Sequence, residues 1–159
     1  MTVEIRPAVE ADFAQLCVLF DELDELHRQA RPDMFRKPAG DARSRDDVRW
    51  LIGGDDGTIL VAHDRDHLTG LAVVLRRSPP AHPLLVSRKV VEIDNIVVHS
   101  AYRRRGIGRQ LVAACIAWAK ERGADDVEIA VHDFNVAATQ FYSALGFEMS
   151  IHRLRRRLG

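Results

Sequence analysis

The pattern of apolar and polar residues divides this chain into segments of two kinds. Short blocks with a two-residue period or a continuous β-branched run indicate strands, and longer blocks with apolar residues three and four apart indicate helices. The predicted strands cover residues 3–6, 58–63, 68–76, 88–99, 127–131 and 147–154. The predicted helices cover residues 10–29, 44–52, 108–122 and 136–145. The order β-α-α-β-β-β-α-β-α-β predicts a mixed α/β fold, in which helices cover a central twisted sheet.

The central block, residues 92–108, combines a strand, a turn and the start of a helix. After the β-branched strand, Leu111 and Cys115 recur at the spacing of one helix face. A strand that feeds a helix through such a turn directs free backbone amides and the positive end of the helix dipole at one point. Gly106 and Gly108 let the backbone approach an anion closely. Four arginines surround the turn: Arg103, Arg104, Arg105 and Arg109. The block therefore predicts a phosphate or pyrophosphate site, with a solvated basic turn as the alternative.

Two familiar phosphate-binding motifs are absent from this turn. No Gly-Lys-Ser/Thr follows it, which excludes a Walker loop. Leu111 occupies the place of the third glycine of the dinucleotide-binding fingerprint, which excludes that motif as well. The basic turn thus predicts an anion site of a different class.

Composition narrows the class of protein. With 159 residues, 47% hydrophobic and 29% charged, the chain is predicted to fold as a single domain over its whole length. The net charge is zero, so no general affinity for nucleic acid is indicated. No apolar run is long enough to span a membrane and the first residues lack a signal-peptide core, so a cytoplasmic protein is expected. Cys17 and Cys115 are predicted to be buried free thiols. No metal is expected, because His63, His99 and His132 lack metal-ligand spacing.

Two motifs resemble the signatures of the GNAT superfamily of N-acetyltransferases. The first follows an Ile-Val-Val strand and reads Arg103-x-x-Gly106-x-Gly108. The second lies about thirty residues downstream and reads Asn135-x5-Phe141-Tyr142-x3-Gly146-Phe147. The resemblance covers residues 88–147 and implies the GNAT fold, with a mostly antiparallel sheet and helices on both faces. It also implies acetyl-CoA as the acyl donor.

The resemblance assigns roles to particular residues. In this family the backbone amides of the first motif hold the CoA pyrophosphate, the asparagine contacts the cofactor, and the tyrosine lies near the thioester sulfur. Amides of the central strand face the thioester carbonyl. Asn135 as a helix N-cap and Tyr142 as a core aromatic are the alternatives that need no cofactor. The expected cofactor-binding residues are Ile96, Val97, Val98, Arg103, Arg104, Arg105, Gly106, Ile107, Gly108, Arg109, Asn135 and Tyr142.

A general base is predicted at Glu92, which lies eleven residues before Arg103, the spacing at which several histone-acetylating family members carry theirs. Asp94 is expected on the same face of the strand, so repulsion would favour protonation of one carboxylate. The alternatives are that these carboxylates pair with arginines or bind the acceptor ammonium, and that a water chain deprotonates the amine. Tyr142, as proton donor to the thiolate, and Glu92 are the predicted catalytic residues.

The acceptor side is predicted from the first helix and the loop after it. Met34 and Phe35 either line an acceptor pocket or attach the loop to the core. An acidic cluster is either a solvated helix face or a rim that attracts a cationic amine, and it consists of Asp21, Glu22, Asp24 and Glu25. Glu92 and Asp94 complete the predicted substrate-binding set.

Together these residues favour an N-acetyltransferase that transfers the acetyl group of acetyl-CoA to a primary amine in a ternary complex. The alternative is a non-catalytic domain that binds acyl-CoA, as a sensor or to hold a partner. The combination of Tyr142, Asn135 and Glu92 favours the enzyme. The acceptor class stays open among small amines, antibiotics, polyamines and protein N-termini. No nucleic-acid or membrane partner is expected, and a homodimer is compatible with the sequence.

Overall fold

The computed structural model describes residues 3–158, which form a five-stranded sheet with four α-helices. The strands are β1 (Glu4–Pro7), β2 (Gly57–Asp64), β3 (His67–Arg77), β4 (Val90–Val98) and β5 (Asp126–Ile129). The helices are α1 (Phe13–Ala30), α2 (Arg45–Gly53), α3 (Ile107–Glu121) and α4 (Val136–Ser143), with 3₁₀ turns at Glu10–Asp12 and Ser100–Tyr102. The predicted order is confirmed from the first strand to the fourth helix, with small shifts at the element ends.

The predicted last strand, residues 147–154, is wrong, because this segment has no regular secondary structure. Phe147, Met149 and Ile151 alternate with polar residues, yet Met149 and Ile151 are 65% and 80% exposed, and Leu154, which falls outside this alternation, is 93% exposed. An alternating pattern forms a strand only when a neighbouring strand accepts its hydrogen bonds and a packed layer covers its apolar face. No strand in the described part of the chain does this for residues 147–154.

The sheet has the order β1-β2-β3-β4-β5, and neighbouring strands are antiparallel except for the parallel pair β4 and β5. The pairing of β4 with β5 begins at Val90↔Asp126 and ends at Ile93↔Ile129, whereas β4 continues to Val98. Residues 94–98 therefore have no paired strand on their β5 side. We call this place, where the two strands part, the opening.

A bulge in β4 lies at the start of the opening. Val73 pairs with Asn95 and Val74 with Ile93, so Asp94 faces no residue of β3. An extra residue reverses the alternation of side chains beyond it, which is why Ile93 and Ile96 both pack on the α3 side of the sheet. The bulge interrupts the simple alternation at Asp94, yet Glu92 and Asp94 both lie within reach of Arg77.

Two apolar layers hold the sheet between the helices. On one face α1 packs through buried residues that include Leu16 and Phe20, and on the other face α3 packs through Leu111 and Cys115. Both cysteines are free, as predicted, but only Cys115 is buried, whereas Cys17 is partly exposed. Burial raises the pKa of Cys115 to about 12. Leu26 of α1 is exposed, and the last turn of this helix packs through His27 instead.

Helix ends follow local signals that the sequence already carries. The Ser44 Oγ accepts a hydrogen bond from the Asp47 amide at 3.1 Å, and the Asp47 carboxylate accepts one from the Ser44 amide at 2.9 Å. These two bonds make Ser44 the N-cap of α2. Gly123, with φ of 65°, follows the end of α3. In the stretch from residue 3 to residue 158, no helix is long and apolar enough to cross a membrane.

Candidate active site at the opening of the sheet

The opening exposes backbone amides of β4. The His99 amide donates to the Thr69 carbonyl of the β3 side at 2.9 Å. Because amides alternate in direction along a strand, the Val98 and Ile96 amides point away from β3, and the Val97 amide points toward it. The Val98 carbonyl, which points the same way as its own amide, accepts a hydrogen bond from Arg103 at 3.0 Å. This edge of β4 therefore faces the basic turn.

The basic turn ends in a helix N-terminus without a side-chain cap. Gly106, with φ of 80°, is the N-cap residue of α3, and Arg104 also has a positive φ, of 63°. The first amides of a helix have no partner within the helix, and a side chain or ligand normally satisfies them. Since no side chain does so here, the amides that follow Gly106 remain available to an anion.

Gly108 lies at the contact between the start of α3, the strand β4 and the helix α4. A Cβ atom at this position would lie 3.3 Å from the Phe141 ring and 3.8 Å from the Val98 side chain. A glycine therefore allows the close packing of these three elements. Phe141 is half-buried beside this turn, whereas its neighbour Tyr142 is the residue buried in the core.

Arg103 is engaged within the protein. Its Nε donates to the Val98 carbonyl, and its Nη2 lies 2.5 Å from a carboxylate oxygen of Glu22 in α1. The other oxygen of Glu22 accepts a hydrogen bond from the Ser100 amide at 3.3 Å. Glu22 and Arg103 thus join α1 to the basic turn. The sequence indicated an acidic cluster on α1, but it carried no signal that singled out Glu22.

The other members of the acidic cluster do not form a continuous rim. Asp24 pairs with Arg43 at 2.5 Å, and Glu25 pairs with Arg28 on the same helix. Asp21 is exposed to solvent. The residues of the acidic cluster therefore have separate partners. This arrangement agrees better with a solvated helix face than with a single surface that attracts an amine.

Arg77 of β3 lies between the two carboxylates of β4. Its Nε donates to Glu92, and its Nη2 is 3.8 Å from Asp94. Asp94 also accepts a hydrogen bond from the Asn95 side chain. An arginine reduces the repulsion between the two carboxylates and occupies a lone pair of Glu92. Of the alternatives for these residues, pairing with an arginine is the one that is present in the structure.

Helix α4 carries the second motif and lies next to the start of α3. The Asn135 Oδ1 accepts a hydrogen bond from the Ala138 amide at 3.1 Å, so Asn135 is the N-cap of α4. Its side-chain NH₂ group has no partner among residues 3–158. The cap and a hydrogen bond to a ligand are therefore compatible, because they use different atoms of the same side chain.

Tyr142 is 6% exposed, and its ring packs edge-on against Phe141 and Phe147. Burial, and to a lesser degree the nearby Cys115, raise the pKa of Tyr142, so the phenol stays protonated. No described residue forms a hydrogen bond with its hydroxyl. In the described part of the chain, every completely buried side-chain oxygen has a hydrogen-bond partner. The Tyr142 hydroxyl oxygen is therefore not completely buried, and the hydroxyl remains a hydrogen-bond donor.

Four rings form a cluster that the sequence did not indicate. His27, Phe35, His132 and Phe134 lie with ring centroids 5.2 to 5.7 Å apart in five contacting pairs. The cluster joins the end of α1, the following loop and the segment after β5. The Nδ1 of His27 is 2.9 Å from the Leu23 carbonyl, which leaves Nε2 as the unengaged ring nitrogen. Met34 is 46% exposed and has no ring contact of this kind in the described chain.

The predicted residues therefore fall into two groups around the opening. Ile96, Val98, Gly106 and Gly108 lie on the strand and the turn, and Gly108 is next to Phe141 of α4. Phe35 lies in the ring cluster, near the end of β5. Among residues 3–158 no group of histidine, cysteine and carboxylate side chains has the arrangement of a metal site.

Comparison with known sequences relates this chain to acetyltransferases. The model of the acetyltransferase (GNAT) family matches residues 20–147, which is most of the chain. The uncharacterized N-acetyltransferase YvbK of Bacillus subtilis is 32% identical over 93 residues, which cover 58% of this chain and 54% of that protein. The chain matches about half or less of the length of its curated relatives.

Solved structures extend the similarity to the whole chain. A mutant of the BH1408 protein from Bacillus halodurans is 29% identical, with a TM-score of 0.91 over 98% of this chain and 99% of that one. The aminoglycoside N-acetyltransferase AAC(6')-Iy in complex with CoA has a TM-score of 0.73 over 98% of this chain and 99% of that one. At 19% identity, this second similarity concerns the fold alone.

Proposed function

The chain belongs to the acetyltransferase (GNAT) family, as its two motifs indicated, and from this premise we propose that it transfers the acetyl group of acetyl-CoA to a primary amine. The amine attacks directly in a ternary complex. The observation that carries the proposal is the opening, because it leads from unpaired amides of β4 to the uncapped N-terminus of α3. The CoA complex of AAC(6')-Iy, which shares the fold, supports the same acyl donor.

The basic turn binds the pyrophosphate of acetyl-CoA. Backbone amides from Gly106 onward donate to the phosphate oxygens, and the dipole of α3 favours the negative charge. Arg104, Arg105 and Arg109 add positive charge at the surface. Arg103 acts differently, since its guanidinium holds the turn against Glu22 and the Val98 carbonyl. It positions the phosphate-binding amides rather than the phosphate itself.

Strand β4 and helix α4 act on the reacting atoms. The amides of Ile96 and Val98 donate to the thioester carbonyl oxygen and stabilise the negative charge that develops there. The attacking nitrogen forms the new C–N bond, the C–S bond breaks, and the Tyr142 hydroxyl gives its proton to the departing sulfur. The proton that the attacking nitrogen then releases restores the Tyr142 hydroxyl. The Asn135 NH₂ group donates to the pantetheine arm. The amides of β4, the Tyr142 hydroxyl and the Asn135 NH₂ group are each left with a donor for a ligand.

The proton of the acceptor ammonium leaves by one of two routes. Glu92 takes it directly, or a chain of water molecules in the opening carries it to solvent. The contact of Arg77 with Glu92 favours the water chain, because the guanidinium occupies a carboxylate oxygen that a general base would need. Asp94, beside the opening, contributes negative charge that attracts the ammonium, and Phe35 with its ring cluster forms an apolar wall of the acceptor side.

Replacement of Glu92 with glutamine distinguishes the two routes. If Glu92 is the base, turnover falls by roughly 10²-fold or more, most strongly at low pH, where the acceptor is protonated. The measurement is the pH dependence of kcat and kcat/KM. Glu128→Gln is the matched control, because Glu128 pairs with Glu92 in the sheet register and is itself bound to Arg88. A Glu92→Gln profile identical to that of the unmodified enzyme assigns deprotonation to the water chain.

Acetyl-CoA is expected to stabilise the folded protein. A ligand present at one hundred times its Kd adds about 2.7 kcal/mol to the free energy of unfolding. Thermal unfolding with CoA, acetyl-CoA and ATP measures this effect, and the first two are expected to raise Tm while ATP serves as the control for non-specific phosphate binding. Absence of a shift with both CoA species would contradict the assignment of the turn.

A panel of amine acceptors, read out by release of free CoA thiol, tests catalysis separately from binding. The proposed enzyme releases thiol with at least one class among small amines, aminoglycosides, polyamines and peptide N-termini. A non-catalytic acyl-CoA sensor would show the thermal shift but no acceptor-dependent thiol release. The two experiments together therefore distinguish the enzyme from the binding domain.

A further inference from the structure

Arg77, the last residue of β3, contacts both carboxylates of β4 beside the opening. Val73 and Leu75 pack in the apolar layer under α1, so Arg77, two residues further along the strand, lies on that same face of the sheet. Its Nε donates to Glu92, and its Nη2 lies 3.8 Å from Asp94. The arginine is half exposed and both carboxylates are partly exposed, so a ligand from solvent reaches all three charges.

The three charges of this group do not cancel. One guanidinium faces two carboxylates, which leaves a single net negative charge on Arg77, Glu92 and Asp94 together. Glu128, which faces Glu92 in the register with β5, already pairs with Arg88. One ammonium beside Asp94 therefore neutralises the group, whereas a second positive charge nearby would meet the guanidinium. Complementary charges of this kind determine which partner binds.

Other carboxylates on the proposed acceptor side are also bound to arginines. On α1, Asp24 pairs with Arg43, and Glu25 pairs with Arg28. In the loop after α1, Asp33 accepts hydrogen bonds from three arginines, at positions 31, 155 and 157. A surface whose carboxylates are paired in this way has little net negative potential with which to attract a polycation.

We propose that the acceptor is a primary amine with a single positive charge and an apolar body, and that Arg77 determines this charge selectivity. The inference rests on the proposed function, because that function is what places the acceptor ammonium beside Asp94. The guanidinium compensates one carboxylate and repels a second positive charge close to the first. The ring cluster at the end of α1 offers apolar surface to the body of the acceptor. Small monoamines and peptide N-termini are therefore favoured over polyamines and aminoglycosides.

The experiment compares two probes that differ by one charge, pentylamine and cadaverine, the diamine with the same five-carbon chain. Their Kd values are measured by calorimetric titration of the full chain with CoA present, at low salt and neutral pH, where alkylamines are protonated. The unmodified protein is expected to bind pentylamine more tightly. Arg77→Gln is expected to shift the ratio of the two Kd values toward cadaverine by about two- to fivefold, the range of one exposed charge pair. About 1 M NaCl is expected to remove most of this shift by screening.

Two control variants separate charge from packing. Arg77→Lys keeps the positive charge and is expected to retain the selectivity of the unmodified protein. Arg76→Gln removes the neighbouring arginine, which lies on the opposite face of the sheet, 3.8 Å from Asp56, and is expected to leave the ratio unchanged. Exposed ion pairs contribute little to stability, so all three variants are expected to fold, which circular dichroism verifies.

Four results would overturn the proposal: tighter binding of cadaverine by the unmodified protein, an unchanged ratio in Arg77→Gln, an equal shift in Arg77→Lys, or no binding of either probe. Release of CoA thiol from acetyl-CoA is measured separately with the acceptor panel. A shifted Kd ratio without thiol release from any acceptor would support the role of Arg77 and contradict acetyl transfer. Thiol release with an unchanged ratio would contradict the role of Arg77 alone.

Discussion

Replacing Gly108 with glutamate is expected to weaken acetyl-CoA binding at least about 100-fold. The new carboxylate would stand in the first turn of α3, where the amides and the helix dipole favour an anion. Repulsion between like charges held together at a binding site costs several kcal/mol, and every 1.4 kcal/mol is tenfold in Kd. Calorimetric titration with acetyl-CoA measures the loss directly.

Two further variants separate charge from packing at this site. Because a Cβ at position 108 would lie 3.3 Å from Phe141, Gly108→Ala alone is expected to shift that ring slightly and to weaken binding far less than Gly108→Glu. Gly53→Glu introduces the same charge at the end of α2, where a Cβ meets no atom within 4 Å, and is expected to leave binding unchanged. If Gly108→Glu bound acetyl-CoA within a few-fold of the unmodified protein, with unchanged circular dichroism, the pyrophosphate site would have to lie elsewhere.

Replacing Tyr142 with phenylalanine is expected to lower kcat by roughly 10- to 10³-fold. The hydroxyl has no partner within the described protein and stays protonated, so it is suited to donate a proton to the departing sulfur. The ring contacts with Phe141 and Phe147 survive the substitution, so stability and the apparent affinity for acetyl-CoA are expected to change little. The measurement is kcat under conditions where the chemical step limits the rate.

Tyr102→Phe is the matched control, because it removes the same hydroxyl from the only other tyrosine of the chain. Tyr102 lies in the 3₁₀ turn before the basic turn and packs against His99. It is expected to retain full kcat. An unchanged kcat in Tyr142→Phe would return Tyr142 to the alternative of a core aromatic, and proton donation would pass to solvent.

Glu22 illustrates how the fold adds a functional constraint to a known motif. The motif residue Arg103 was expected among the cofactor ligands, yet its two hydrogen bonds hold the turn to α1 and to β4. The helix proposed to border the acceptor side is therefore connected to the turn proposed to bind the donor. This link makes the position of the amides at the start of α3 depend on the position of α1.

The sequence by itself determined the features that depend on neighbouring residues. The strand, turn and helix of residues 92–108 follow from β-branched residues, two glycines and a three-to-four residue period, and Ser44 and Asn135 carry the oxygen atoms that cap their own helices. The spacing of the two motifs was also sufficient to indicate the family. Such signals are local, because the hydrogen bonds and side-chain contacts involved join residues only a few positions apart.

Only the tertiary structure decided which distant residues meet. Glu22 and Arg103 are far apart in sequence, as are His27 and His132, and no pattern in either segment specifies its partner. The bulge at Asp94 and the position of Arg77 likewise depend on the register with β3. Residues 147–154 carry the alternating pattern of a strand, but no other strand of the described chain lies beside them. A strand is completed by hydrogen bonds to another segment, so its sequence can favour the conformation without supplying the partner.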